Sequence, residues 1–347
     1  MTTKERFYKA FNFINPGDRL PVFEHSWWGL TVDRWQAEGL DIPWEEFNGY
    51  FGHDIVKYTG LWPISEEAWH NKERTRQGKS KDWYIDSESD YDGILSTLYT
   101  DGRERRMLEE LNGLKDGYER GEYTVVIAIH GFFWHSRELL GIEPHFYTFY
   151  DNPGLIHRIH RNYCDFAKRV LAQALEILTP LYVILSEDMC YKTGPMLSKA
   201  MYDEFIKPYY LELAPIIRQA GTKFMIDSDG NIHEMIPWML ECGVEGSAPL
   251  ERNAGNDLCR IREQYPDFLM TGGYDKLVMN QGEAAIRAEF ERIFPVMRSG
   301  GYLPGVDHQT PPSVSLSDYR LWMSVYREYA ARAAKEWTGN ATTKNQY

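Results

Sequence analysis

The chain has 347 residues, 43% of them hydrophobic, and a formal net charge of −13. This acidity excludes nucleic acid as a partner, because no basic stripe is available to neutralise phosphates. The start of the chain is polar and no run approaches 18 apolar residues, so we expect a cytoplasmic protein with no membrane partner. The 4 cysteines form no CxxC or CxC pair, which gives little support to a thiolate zinc site.

Short runs rich in Val, Ile, Tyr and Phe alternate along the chain with helical periodicity. Strands are predicted at Arg19–His25, His53–Tyr58, Tyr123–His130, Leu181–Asp188, Lys223–Asp229, Val244–Leu250, Phe268–Asp275 and Tyr302–His308. Helices are predicted at 151–179, 199–220, 281–299 and 315–335. Eight strands alternating with helices predict a parallel sheet closed into a single (β/α)8 TIM-type barrel over residues 1–337.

Two segments depart from this alternation. Residues 64–122 are densely charged, and we interpret them as an insertion in the barrel after an early strand. Within it, the runs at 83–85 and 95–99 predict a β-hairpin followed by a helix. Residues 338–347 are predicted to be a flexible tail.

Acidic and imidazole side chains recur where the predicted strands end. In a parallel barrel these ends converge on one face. The polar side chains collected there are Glu24, His25, Lys57, Tyr58, His130, Glu187, Asp188, Asp227, Asp229, Glu251, Asp275, Asp307 and His308. Acids packed together hold a cation, share protons or face a cationic substrate. Each member also has a structural alternative, such as a core histidine or an Asp that caps a turn or helix.

The residue types at these strand ends are compatible with two kinds of site, a metal site and a metal-free acid–base pair. Imidazole and carboxylate groups such as His130, Glu187, Asp229 and His308 would suit Zn²⁺ or another divalent metal. Two of the carboxylates could instead form a metal-free acid–base pair.

Several segments, in this order and spacing, resemble the uroporphyrinogen decarboxylase-like superfamily. They are Thr3-Lys4-Glu5-Arg6-Phe7, residues 16–22, residues 51–55, residues 186–189 through 207–210, residues 227–232, residues 272–276 and residues 300–308. The resemblance implies a (β/α)8 barrel and spans nearly the whole chain outside 64–122. A homodimer is a further implication of it.

The resemblance favours the corrinoid-dependent methyltransferase-like branch over true uroporphyrinogen decarboxylases. The decarboxylases hold a polycarboxylate tetrapyrrole with arginines after the first strand, whereas Glu24 to Leu30 contains none. The methyltransferases carry a His-x-Cys zinc site and a later Cys. Here Asp227-Ser228-Asp229-Gly230 stands at the first position and Val306-Asp307-His308 near the second. Without thiolates, a retained metal would have harder ligands, namely Glu187, Asp227, Asp229 and His308.

These implications predict methyl transfer from a small O- or N-methylated substrate to a corrinoid carried by a partner protein, with metal assistance as one version. The acid–base and catalytic candidates are His25, His130, Glu187 and Asp229. The substrate-binding candidates are Trp27, Trp28, Phe133, Trp134 and Lys192. One alternative is a cofactor-free decarboxylase or lyase that holds a small acid through Lys57, Arg137 or Lys192. Another is a non-catalytic ligand-binding barrel.

Overall fold

A curled parallel sheet organises the protein. The computed structural model describes residues 1–63 and 85–339. In this part of the chain, seven parallel strands are hydrogen-bonded in the order β1, β2, β3, β6, β7, β8, β9. They are β1 (Ile55–Leu61), β2 (Tyr123–His130), β3 (Tyr182–Ser186), β6 (Lys223–Asp227), β7 (Gly246–Ala248), β8 (Leu269–Tyr274) and β9 (Tyr302–Val306). A small antiparallel pair, β4 (Cys190–Tyr191) and β5 (Gly194–Pro195), follows β3.

Strands β2 and β3 are nearly continuous apolar runs because both of their faces are buried. Every residue of β8 and β9 is buried, and in β2 only Tyr123 and Ala128 are partly exposed. The register places Ser186 beside His130 and Asp227 beside Ser186, so three successive strand ends lie at one level. Polar residues that follow these strands therefore converge on one face, as the sequence predicts.

Helices connect and cover the strands. They are α1 (Thr3–Phe11), α2 (Gly29–Ala37), α3 (Phe47–Tyr50), α4 (Glu88–Leu98), α5 (Asp101–Glu119), α6 (Phe132–Leu140), α7 (Ile142–Asp151), α8 (Pro153–Ile177), α9 (Lys199–Phe205), α10 (Lys207–Gln219), α11 (Ile236–Leu240), α12 (Leu258–Gln264), α13 (Glu283–Met297) and α14 (Leu316–Lys335). Short 3₁₀ turns occupy Trp44–Glu46, Arg252–Ala254 and Lys276–Val278. The four predicted helical regions are confirmed, with 199–220 divided into α9 and α10.

The prediction of a first strand at 19–25 is wrong. The described residues contain seven parallel strands and do not show closure into an eight-stranded barrel. Pro21 has no N–H to donate to a ladder. The N–H of Val22 donates to the Asp54 carboxylate at 2.9 Å instead of to a neighbouring strand. Only an isolated bridge joins Trp27 to Thr310. The segment is extended but makes no continuous strand pairing, so seven of the eight predicted strands are confirmed.

The predicted insertion is helical where it is described. Residues 95–98 lie in α4 and not in a β-hairpin, because a Ser87 cap on the N–H of Asp90 begins a helix that buries Tyr91 and Leu98. The helix predicted after the hairpin is confirmed as α5. Residues 64–84, which include most of the 83–85 run, lie outside the described residues, as do 340–347. The described helices include none with the length and apolar character needed to cross a bilayer.

Candidate active site

A cavity of about 540 Å³ opens at the carboxyl ends of the strands. This volume lies within the ordinary range of small-molecule sites. Eight of the residues singled out from the sequence line it: His25, Tyr58, His130, Trp134, Asp188, Asp227, Asp229 and His308. The strand order therefore brings together side chains that are more than 280 positions apart in the sequence.

His25 follows the extended segment and is held in place by two neighbours in the sheet. Its Nδ1 lies 3.0 Å from the hydroxyl of Tyr58, and its Nε2 lies 3.2 Å from the hydroxyl of Thr271. Burial, reinforced by the nearby His308, lowers the pKa of His25 to about 4. The imidazole is therefore neutral at pH 7 and can accept or relay a proton.

His130 ends β2 and faces the same cavity. Burial lowers its pKa to about 3, so this imidazole is also neutral. Trp62 packs edge-on against it, with ring centroids 4.8 Å apart. Its Nδ1 lies 3.6 Å from a carboxylate oxygen of Glu138 and has no hydrogen-bond partner within the described parts of the chain. A buried polar atom without a partner in a cavity wall is a feature that a ligand could satisfy.

Asp227 and Asp229 flank a tightly held turn after β6. The N–H of Ser228 donates to the carbonyl of Ala248 at 3.0 Å, and the Ser228 hydroxyl accepts from the N–H of Cys190 at 3.1 Å. A Cβ on Gly230 would lie 2.3 Å from the backbone of Cys190, so only glycine allows this approach. The turn thus fixes both carboxylates in the cavity wall.

The carboxyl groups at this rim perturb one another. Burial, followed by the charges of Asp229 and Asp188, raises the pKa of Asp227 well above its usual range. Burial also raises the pKa of Asp229, although His308 opposes this shift. The Nε2 of His308 lies 3.9 Å from Asp229, and its Nδ1 lies 4.0 Å from Glu251. Asp227 is therefore biased towards the protonated form and could donate a proton.

Glu187, predicted as a catalytic residue and a metal ligand, is turned away from the cavity. It is fully buried and accepts hydrogen bonds from the N–H groups of Phe132, Phe133 and Trp134 at 2.8, 2.8 and 3.3 Å. The Tyr210 hydroxyl donates to it at 2.5 Å. Burial raises the pKa of Glu187 to about 7, with these hydrogen bonds opposing the shift. Its carboxyl group caps the N-terminus of α6, where a negative charge is favourable.

Four of the five predicted substrate-binding residues lie outside the cavity lining. Trp27 packs at 5.4 Å against Phe47 and stacks at 5.9 Å on His53, because the extended segment turns its ring into the core. Trp28 is 46% exposed and touches the site through the ring of His308 at 5.8 Å. Lys192 is exposed between β4 and β5. Phe133 is buried in α6, so Trp134 is the predicted aromatic wall residue that lines the cavity.

The cavity wall also contains three residues that were not predicted from the sequence: Trp62, Glu138 and Tyr182. Trp62 directly follows β1, which ends at Leu61 rather than at Tyr58 as predicted. Glu138 lies on α6, two helical turns after His130, and Tyr182 begins β3. A correct end for β1 would have identified Trp62, whereas Glu138 lies on a helix and carries no strand-end signal.

The predicted metal ligands are not assembled into a site. Across residues 1–63 and 85–339, no group of three or more His, Cys, Asp or Glu side chains is arranged to hold a metal ion. Glu187 is occupied by four donors, and His308 and Asp229 are 3.9 Å apart. The cysteines do not line the cavity, and burial raises the pKa of Cys190 to about 12. The donors present therefore do not fit the zinc site that the resemblance implies.

The fold is similar to that of a solved structure. A methyltransferase from Methanosarcina mazei is similar over 95% of this chain and 99% of its own, with a TM-score of 0.65 and 14% identity. An L-ribulose 3-epimerase covers 81% of this chain and 91% of its own at 10% identity, with a TM-score of 0.40. No curated protein sequence matches the chain. The family model for uroporphyrinogen decarboxylase (URO-D) matches residues 139–329, which is more than half of the chain. The chain therefore belongs to the uroporphyrinogen decarboxylase (URO-D) family.

Proposed function

We propose that the protein transfers a methyl group from a small O- or N-methylated compound to a corrinoid carried by a separate protein. The observation that carries this proposal is the charge of the cavity wall. Four acidic side chains line it, Glu138, Asp188, Asp227 and Asp229, and none of its described lining residues is Lys or Arg. Such a wall suits a neutral or cationic substrate and repels an anionic one.

The same observation argues against the alternative of a decarboxylase or lyase that acts on a small carboxylic acid. A substrate carboxylate needs a basic partner, and the three basic candidates from the sequence are placed elsewhere. Lys57 is exposed, with its ammonium 6.0 Å from the ring centroid of Tyr123, and Lys192 is exposed between β4 and β5. Arg137 already donates to the side chain and the carbonyl of Asp188, each at 3.3 Å. None of them is available as a free cation in the cavity wall.

In the proposed reaction the bond between the methyl carbon and the substrate oxygen or nitrogen breaks, and its electron pair stays with the heteroatom. The reduced corrinoid is the methyl acceptor and supplies the electron pair for the new bond. An alkoxide leaving group needs a proton, and the raised pKa of Asp227 keeps one available on its carboxyl group. A cationic N-methyl donor leaves as a neutral amine and needs none.

The size of the cavity defines where the acceptor can approach. About 540 Å³ accommodates a small donor but not a corrinoid with its side chains. The acceptor would therefore meet the donor at the mouth of the cavity. The exposed ring of Trp28, which contacts the cavity-lining His308, is the proposed position of this mouth. The carboxyl end of the strands, rather than the cavity interior, is the proposed docking face for the partner.

The experiment is a methyl-transfer assay with purified protein, reduced corrinoid and a panel of methyl ethers and methylated amines. Loss of the absorption of the reduced corrinoid, together with a demethylated product, supports the proposal. Asp227→Asn should reduce turnover with methyl ethers by about 100-fold. Asp165→Asn, which changes an exposed carboxylate on α8 far from the cavity, is the matched control. Release of CO₂ from small acids without methyl transfer would contradict the proposal.

A further inference from the structure

We propose that the cavity selects an N-methylated ammonium cation, such as a quaternary ammonium, over neutral methyl donors. The inference rests on the proposed function and narrows its substrate class. The cavity wall combines acidic and aromatic side chains, and none of its described lining residues is a Lys or Arg that would compete with a ligand cation. Each of these features is independent of how the methyl group is later transferred.

The cations near Asp227 and Asp229 form ion pairs with other carboxylates. The Arg137 guanidinium pairs with Asp188, which lines the same cavity, at 3.3 Å. The nearby ammonium of Lys276 is paired with Glu251 at 3.0 Å and with Asp307 at 3.1 Å. Neither of these two cations forms an ion pair with Asp227 or Asp229. Burial favours the protonated form of Asp227 in the free protein, and a bound cation beside it would favour the charged form instead, so cation binding would release a proton from this acidic pair.

An aromatic surface faces the same space. Tyr58 and Trp62 line the cavity and keep 45% and 42% of their surfaces exposed. Trp134 lines it too, and its ring already holds the Arg137 guanidinium, 4.1 Å from the ring centroid. Aromatic rings attract cations through their quadrupoles, and methylated ammonium groups are recognised in this way. A methylated ammonium would bury its methyl groups against these rings without requiring a hydrogen bond.

The imidazole of His130 adds a hydrogen-bonding position to the cavity wall. His130 is 6% exposed, lines the cavity and has an Nδ1 without a hydrogen-bond partner within the described residues. Glu138 lies 3.6 Å from this atom. A neutral imidazole places no positive charge beside the ligand, and its free nitrogen can bind a polar group on the rest of the donor molecule. The wall therefore offers one cation pocket and one hydrogen-bonding position.

The test is calorimetric binding of choline and of its neutral carbon isostere, 3,3-dimethylbutan-1-ol, to the full-length protein. The two probes have the same shape and differ in charge. We expect choline to bind at least about tenfold more tightly. Asp227→Asn should weaken choline binding by about tenfold and Trp62→Leu by about fivefold, with little effect on the isostere. Asp229→Asn provides a second acidic variant if Asp227→Asn does not fold.

Asp165→Asn and Trp44→Leu are the matched controls, since both side chains are exposed and do not line the cavity. Neither should change the affinity for choline. Equal affinity for choline and its isostere, or no binding of choline, would overturn the inference. The methyl-transfer assay with neutral methyl ethers separates this result from a failure of the proposed function. Conversely, tight choline binding without any methyl transfer would support the cation site and contradict the proposed reaction.

Discussion

Replacing Glu187 by Gln distinguishes a helix-capping role from the catalytic role predicted from the sequence. The carboxyl oxygen Oε1 accepts from the N–H of Phe132 and the hydroxyl of Tyr210, and Oε2 accepts from the N–H groups of Phe133 and Trp134. An amide keeps one acceptor oxygen and turns an NH₂ group towards two donors. Two buried donors lose their partner, which costs about 1–3 kcal/mol each and about 4 kcal/mol in total.

The expected fall in melting temperature follows from chain length. Unfolding entropies of about 2.1 cal/mol/K per residue give about 0.7 kcal/mol/K for a chain of 347 residues. A loss of about 4 kcal/mol then lowers the melting temperature by about 5 °C. The assay is thermal unfolding followed by circular dichroism, and Glu176→Gln, an exposed position on α8, is the matched control with no expected change.

The capping role also predicts what happens to turnover. Well below the melting temperature, Glu187→Gln should retain methyl transfer within about tenfold of the parent protein, because its carboxyl group does not face the cavity. An unchanged melting temperature combined with a loss of turnover of more than about 100-fold would refute this reasoning. That result would restore Glu187 to the catalytic role assigned from the sequence.

Further predictions concern packing, pH and the site. Gly131→Ala should destabilise the protein by about 3 kcal/mol, measured by urea unfolding, because its Cβ would lie 1.9 Å from the Glu187 side chain; Gly154→Ala, whose Cβ meets nothing closer than 3.6 Å, is the control. Stability should fall as pH drops below 6.5, because burial lowers the pKa of His53 and His130 to about 3 and that of His160 to about 4, so the unfolded chain takes up protons first. Burial raises the pKa of Glu24 to about 8, so its contribution to stability has the opposite sign and is lost as pH rises from 4.5 towards 8. The free energy of unfolding, measured across pH 4–9, should therefore pass through a maximum within this range. A steady rise in stability below pH 6 would contradict the assignment of neutral buried histidines. Tyr58→Phe removes the hydroxyl 3.0 Å from His25 Nδ1 and should shift the imidazole pKa, measured by NMR titration, with folding retained.

The strands that were predicted best are those whose burial leaves the clearest pattern. β2 is a long apolar run ending in His130, since a parallel strand covered on both faces excludes polar residues. The segment at 19–25 also contains a buried apolar run, residues 20–23, but the N–H of Val22 donates to the Asp54 carboxylate and Pro21 has no N–H. An apolar composition indicates burial in both segments, but it does not indicate which group accepts the hydrogen bond from each backbone N–H.

The location of the candidate site follows from the strand order, whereas the direction in which the Glu187 side chain points does not. His25, His130, Asp227, Asp229 and His308 meet at one cavity because strand ends converge in any parallel sheet of this kind. Glu187 follows β3 just as Asp229 follows β6, yet α6 begins beside it and captures its carboxyl group. Which way a side chain turns after a strand depends on the neighbouring loop, and a single sequence does not encode that direction in any local pattern.

The most direct test of the account follows an isotopically labelled methyl group. Purified protein is mixed with reduced corrinoid and a donor whose transferable methyl group carries deuterium, and the corrinoid is then examined by mass spectrometry. We predict that the label appears on the corrinoid, that the donor loses one methyl group, and that Asp165→Asn behaves like the parent protein. Label that remains on every O- and N-methylated donor, while the same protein releases CO₂ from a small carboxylic acid, would contradict it.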